Sequence, residues 1–218
     1  MDLAQLTINN MSNNLEEVVD KYTKSNGSFY ENEPWIQTYS GIRFTPTKPN
    51  IDSIVIQDIA HALSLQCRFS GHCNFFYSVA QHSVLVSYEC DPGEELWGLL
   101  HDASEAYLVD VPKPLKVSGK FDAYLDFEKN MMNIICDKFG LNRDEPLSVK
   151  KADYKLLCTE ARDLLLEPRK DGFDLSQSLP YTIVPLSPKD AEQEFLKRFF
   201  ELIGMPEAYS YIQLRGII

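Results

Sequence analysis

Between Asp58 and Gly204, segment after segment repeats its apolar residues at about 3.6 positions, and this period commits most of the chain to amphipathic helices. Ile59, Ala60, Leu63 and Cys67 share one face of the first such segment. In YSVAQHSVLVSY, Ser78 is followed by Gln81 in the form of a capping box, so a helix is expected from Val79. GEELWGLLHDASEAYL places Leu96, Leu99, Leu100 and Ala103 on one face. Phe121, Leu125, Met132, Ile135 and Phe139 mark a fourth helix, stopped by Gly140. SVKKADYKLLCTEARDLLL is a fifth, and SPKDAEQEFLKRFFELIG a sixth, with Ser187 as cap, Pro188 in the first turn and Gly204 past the end. Between the last two, EPRKDGFDLSQSLPYTIVPL is long for a plain connection and reads as a functional lid. Ahead of the helices, WIQTYSGIRFTP reads as a small hairpin about Ser40-Gly41. Residues 1–34 are polar and Asn-rich, an appended arm in which LEEVVDKYTK alone is able to form a short helix. The expected architecture is all-α: a bundle of six or more helices over residues 35–218, with a minor N-terminal β-hairpin.

A chain of 218 residues with 44% hydrophobic content can close one large core, and two full domains are not expected. The formal charge of −11 argues against general coating of DNA or RNA, which depends on cationic contacts to phosphate. It leaves room for a small phosphorylated ligand held by a metal ion and a few basic side chains. The five cysteines form no C-x-x-C and are odd in number, so neither a disulfide framework nor a zinc ribbon is expected, and a reducing cytosol fits. MDLAQLTINNMSNNLEE lacks the basic start and apolar run of a signal peptide, and no stretch approaches the roughly 18 apolar residues that span a membrane.

The four histidines are His61, His72, His82 and His101. His82 lies between Val79 and Val86 at helical spacing, where a lone histidine is more often a hydrogen-bonded core residue than a ligand. His101 and Asp102 change that reading. Adjacent residues project about 100° apart on a helix, so both reach one point only at the edge of the buried face. A carboxylate there is costly unless a cation or donors compensate it. Glu105 follows on the same side of the helix. Such a density of acids suits a hard divalent cation and an activated water better than it suits stability. Asp153, beside Ala152, Leu156 and Leu157 and with Glu160 farther along its face, is the best candidate for a further ligand from another helix. The alternative is a surface pairing of Asp153 with Lys150 or Lys151. CRFSGHC has no standard zinc spacing, and His72 reads instead as a loop histidine near the ligand.

His82, then His101-Asp102, then Asp153 resemble the H…HD…D signature of the HD-domain phosphohydrolases. DIAHALSLQCRFSGHCNFFYSVAQHSVLVS followed by LLHDASEAYLVDVPKPLK is similar to their bacterial and phage-borne 5′-deoxyribonucleotidase branch, to which phage dATP triphosphohydrolases are near relatives. The resemblance runs from about Trp35 to Phe200. It implies an HD-domain fold and one divalent metal ion (Mn, Co, Zn, Mg or Fe) held by His82, His101, Asp102 and Asp153, since no histidine follows His101 to build a second metal site. It implies that Glu105 handles protons, that Arg68 binds and stabilises the phosphate, and that Asp110 accepts a hydrogen bond from the sugar. Lys113 and Lys116 are weaker phosphate contacts. Phe69 stands where some relatives have tryptophan, which leaves sugar and base preference open.

The expected activity is metal-dependent hydrolysis of a nucleotide phosphate ester, releasing phosphate from dNMPs, in the cytoplasm of a bacterium or phage-infected host. The resemblance also implies a homo-oligomer, a dimer or larger, with no nucleic-acid polymer or membrane as partner. No G-x-x-x-x-G-K is present, so ATPase-type phosphoryl transfer has no support. Two alternatives stand: a dNTP triphosphohydrolase, for which Arg68, Lys113, Lys116 and Arg162 are the available cations, and a non-catalytic HD-fold nucleotide sensor.

Overall fold

The structure is a computed structural model that describes residues 14–25, 33–168 and 172–214. It is mostly helical, as the apolar period requires. Residues 14–23 form α1. A two-stranded antiparallel ribbon follows, β1 (Ile36–Gln37) and β2 (Arg43–Phe44), with Ile36 opposite Phe44 and a turn through Gly41 at φ 83°. Then come α2 (Ile56–Leu65), α3 (Val79–Glu89), α4 (Glu95–Leu100), α5 (Glu105–Leu108), α6 (Lys113–Lys116), α7 (Asp122–Phe139), α8 (Leu147–Leu164), α9 (Pro188–Leu202) and α10 (Pro206–Leu214). Among the described residues no helix is long and apolar enough to cross a membrane.

The punctuation residues act as the sequence suggests. Ser78 and Ser187 accept the backbone N–H groups of Gln81 and Asp190 at the starts of α3 and α9. Gly140 closes α7 in the left-handed conformation at φ 73°, which glycine adopts without a Cβ penalty. Phe121 lies just outside α7 as its N-cap.

α3 is the axis of the molecule, packed against α4, α8 and α9. On one side lies the larger core, in which Ile56, Ile59 and Leu63 of α2 meet Leu99, Leu100, Met131 and the α9 residues Phe195, Phe199 and Phe200. On the other, Tyr77, Val86 and Trp97 pack with Val149, Leu156 and Leu164 of α8. α3 therefore presents side chains at the seam of two cores, where little water reaches.

Four expectations need correction. α2 ends at Leu65, so Cys67 leaves its helical face and instead bridges to Ser78 across the next loop. GEELWGLLHDASEAYL is two helices rather than one, interrupted over residues 101–104. The helix in the arm is docked: Val19 is buried, and Tyr22 stacks on Phe139 at 5.8 Å and meets Phe199 edge-on at 5.3 Å. The rest of the arm, residues 1–13 and 26–32, lies outside the described residues.

The fourth concerns the lid, of which residues 169–171 lie outside the described part. Residues 172–186 are a strap fastened along α8 and α3. Thr159 accepts from the Leu179 N–H at 2.8 Å, Arg162 donates to the carbonyls of Leu179 (2.8 Å) and Tyr181 (2.5 Å), and Asp163 accepts from the Ile183 N–H at 2.8 Å. Gln81 completes the fastening, donating to the Val184 carbonyl and accepting from the Leu186 N–H, both at 2.8 Å. Leu179 and Ile183 are buried, so the strap is part of the second core.

Candidate metal centre

His82 stands on the first turn of α3, completely buried. Its Nδ1 lies 2.5 Å from Glu160 Oε1, and its Nε2 points toward the end of α4. There His101 follows the last residue of α4. Its Nδ1 donates to the Gly98 carbonyl at 2.7 Å, which leaves its Nε2 facing that of His82 at 3.2 Å.

The chain tightens at this point. Over residues 100–107 the backbone bonds run from i+3 to i: Ala103 to Leu100, Glu105 to Asp102 and Tyr107 to Ser104. In this tightened segment Asp102 turns back toward the two imidazoles, with Oδ2 at 3.2 Å from His101 Nε2 and 3.7 Å from His82 Nε2.

His82, His101 and Asp102 offer ligand atoms within 4.8 Å of one another, a group that could hold a metal ion. Asp153 arrives from α8, its Oδ1 3.2 Å from His82 Nε2. The surface alternative does not form, as Lys150 pairs with Glu145. Three of the four residues singled out as metal ligands therefore form one cluster, and Asp153 reaches it through His82.

The chemistry of this donor set fits a cation. Both Nδ1 atoms are committed to acceptors, Glu160 and the Gly98 carbonyl, so in the neutral rings both Nε2 atoms are lone pairs aimed at each other. Asp102 Oδ2 is buried and, among the described residues, accepts no well-formed hydrogen bond, with ion-pair contacts to His101, His82 and Arg68 near it. Arg68 Nη1 stands 3.6 Å from Asp102 Oδ2, but between the two facing Nε2 atoms no donor lies, and acceptors that converge so closely repel until a positive charge lies among them. In the metal-free chain a proton takes that role. Burial disfavours a charged His101, but neighbouring Asp102 outweighs it and holds the ring up to about 9. Asp102 is correspondingly held below the ordinary carboxylate range, against its own burial, chiefly by His101.

Glu160 is the residue that the sequence left unassigned. It is fully buried on α8, with Oε2 3.0 Å from Arg68 Nη2. Burial works against its charge, and Arg68 and His82 together overcome that and keep the carboxyl low. The available signal was its helical register: Asp153, Leu156, Glu160 and Leu164 share one face of α8.

Arg68 follows α2 in a loop clamped at both ends, by its own N–H to the Tyr77 carbonyl (2.9 Å) and by the Val79 N–H to the Gln66 carbonyl (3.0 Å). Its Nη1 lies 3.6 Å from Asp102 Oδ2, while its Nε is buried and has no hydrogen-bond partner among the described residues. Phe69 and Ser70 adopt left-handed φ values of 53° and 52°, unusual for residues with side chains and a strain of about 1–3 kcal/mol each.

This turn forms one wall of a cavity of about 270 Å³ lined by Gln66, Arg68, Phe69, Glu105, Val109 and Asp110. A second cavity of about 340 Å³ exposes His101, Asp102, Asp153 and Lys116. Glu105 lines both. Its carboxyl is raised well above the usual range by burial first, then by the charges of Asp102 and Asp110. Lys116 is held between Asp110 (3.1 Å) and Glu128 (2.7 Å). His72 and Lys113 are exposed, and neither lines these cavities. The structure thus brings Arg68, Phe69, Glu105 and Asp110 together beside the ligand set and leaves those two outside it.

No family model matches the chain. It is 40% identical over 173 residues to the uncharacterized protein YfdR of Escherichia coli, an alignment covering 77% of this chain and 95% of the relative. It is also 35% identical over 128 residues to an uncharacterized protein of Rhodobacter capsulatus, covering 54% of this chain and 64% of that protein.

Proposed function

The chain belongs to the family of Escherichia coli YfdR, and we propose that it is a divalent-metal-dependent phosphohydrolase of the HD-domain type, acting on the phosphate ester of deoxyribonucleoside monophosphates. One observation carries the reading. Two imidazole nitrogens 3.2 Å apart, each with its proton committed on the far side, stand beside a buried carboxylate oxygen that accepts no hydrogen bond among the described residues. His82, His101, Asp102 and Asp153 would hold the ion. When bound, a divalent cation supplies Lewis acidity, polarising a phosphoryl oxygen and making water a stronger acid.

The remaining work falls to the chain's own residues. Arg68 offers a buried guanidinium with a free Nε–H for a phosphate oxygen, in a fixed orientation. Glu105, whose carboxyl is pushed up by burial and by the charges of Asp102 and Asp110, lines both cavities and is placed to give its carboxyl proton to the departing sugar oxygen. Phe69 and Asp110 line the neighbouring cavity, where a ring face and an acceptor suit a nucleoside. A monophosphate is favoured over a triphosphate because Lys116 is paired with Asp110 and Glu128, and Arg162 is bound into the strap. Neither is free to hold further phosphates.

The test is a panel of dNMPs, NMPs and dNTPs with Mn²⁺, Co²⁺ or Mg²⁺, with and without chelator, and products resolved by chromatography. Orthophosphate from dNMPs is expected, and tripolyphosphate from dNTPs would move the reading to a triphosphohydrolase. Asp102→Ala and Asp153→Ala should abolish turnover in folded protein. Undiminished turnover in Asp102→Ala, or no hydrolysis with any metal, overturns the reading.

A further inference from the structure

We infer that Glu160 is a positioning residue, whose single buried carboxylate fixes which nitrogen His82 turns to the metal centre and where Arg68 stands for the phosphate. The inference rests on the hydrolase reading for the role of Arg68; its statement about His82 needs only that the centre binds a cation.

The two oxygens of Glu160 are divided between two partners. Oε1 lies 2.5 Å from His82 Nδ1 and Oε2 3.0 Å from Arg68 Nη2. A fully buried charge between Leu156 and Leu164 is a poor choice for holding helices together, since an apolar side chain would fill the same place without desolvating an ion. What the carboxylate offers is acceptance on both sides. Accepting from Nδ1–H sets the tautomer of His82, so that Nε2 faces His101 and Asp153 as a lone pair. Accepting from Nη2 holds the guanidinium 3.6 Å from Asp102, beside the ligand set. One residue thus ties the two halves of the centre to α8.

Glutamine has the size of glutamate but one oxygen and one NH₂ group, and it cannot accept from both partners. If its oxygen takes Arg68, its NH₂ faces His82, Nδ1 becomes the acceptor, and the ring proton moves to Nε2, where a metal should bind. If its oxygen takes His82, its NH₂ opposes the Arg68 donors.

The experiment titrates Co²⁺ into wild type and Glu160→Gln by calorimetry and records the visible spectrum of the loaded protein. Glu160→Gln should bind Co²⁺ about 10–100-fold more weakly and with an altered spectrum. The control is Thr159→Val, the buried neighbour on α8 whose hydroxyl serves only the Lys155 carbonyl and the Leu179 N–H. It should lose stability and keep the Co²⁺ affinity and spectrum. Should Glu160→Gln fail to fold, long-range proton–nitrogen spectra of Cd²⁺-loaded wild type decide, with the His82 proton expected on Nδ1. Unchanged Co²⁺ binding in Glu160→Gln, or a His82 proton on Nε2, overturns the inference. A wild type that binds Co²⁺ but hydrolyses no phosphate ester would sink the hydrolase and leave this statement about His82 intact.

Discussion

The carbonyl of Gly98 accepts the Nδ1 proton of His101 at 2.7 Å, and the same glycine lies against the last turn of α3. A Cβ at Gly98 would stand 2.5 Å from Cys90 Sγ and 3.2 Å from Ser87 Cα. The first atom belongs to a short side chain and the second to backbone, so little can give way. Gly98→Ala is expected to lift α4 off α3, lowering stability by about 1–3 kcal/mol. The displaced carbonyl should also carry His101 out of register with His82 and weaken metal binding. Combining it with Cys90→Ala should recover part of the stability, because the sulfur is gone while the Ser87 backbone remains. Thermal denaturation with a metal titration on the single and double variants checks both effects.

Arg162 and Gln81 fasten the strap by side-chain bonds to backbone, in addition to the burial of Leu179 and Ile183 in the second core. Arg162→Ala removes two donors from the carbonyls of Leu179 and Tyr181 while leaving the Asp163 bond to Ile183 in place. Because Arg162 is only partly shielded from water, the loss should be modest in global stability, about 1–2 kcal/mol. Local opening should increase far more, read as faster amide exchange over residues 179–183 than elsewhere. Exchange rising equally throughout α8 and α9 would mean that the strap is not a separate unit.

The helices were legible because their signals are local. Ser78, Ser187, Gly140 and Gly204 act on backbone within a few residues, and the apolar period needs only the stretch that carries it. The clustering of His82, His101 and Asp102 was legible for a different reason: a histidine and a carboxylate are costly at core-facing positions, and that cost shows wherever the partner lies. Glu160 was placed on the same face as Asp153, but its partners His82 and Arg68 are 78 and 92 positions away, so no role could be given to it. The strap failed for a related reason. Its bonds join backbone atoms to Thr159, Arg162, Asp163 and Gln81, none of which marks itself in sequence as a loop anchor. The interruption at 101–104 was hidden because these residues keep helix-compatible types while the hydrogen bonds shorten by one residue.

His101 gives the centre a pH dependence with a defined sign. Buried, yet held up to about 9 by Asp102, it binds its proton more tightly than an unfolded histidine near 6.5 does. In metal-free protein its contribution is fully present below about pH 6.5 and is lost as the pH rises through about 9. His82, also raised, adds in the same direction, whereas the depressed Asp102 acts on the acid side, outside this window. A divalent ion competes with the proton for Nε2, so its apparent affinity should climb across the same interval, by up to about tenfold per pH unit for each proton released. Metal-free protein should therefore melt at progressively lower temperature from pH 6.5 to 9, while the gap to metal-loaded protein widens. Calorimetric titrations of Co²⁺ in buffers of different ionisation enthalpy should reveal proton release on binding, reduced in His101→Gln. Metal affinity that stays flat from pH 6.5 to 9 would mean that the proton on His101 and the metal do not compete for the same nitrogen.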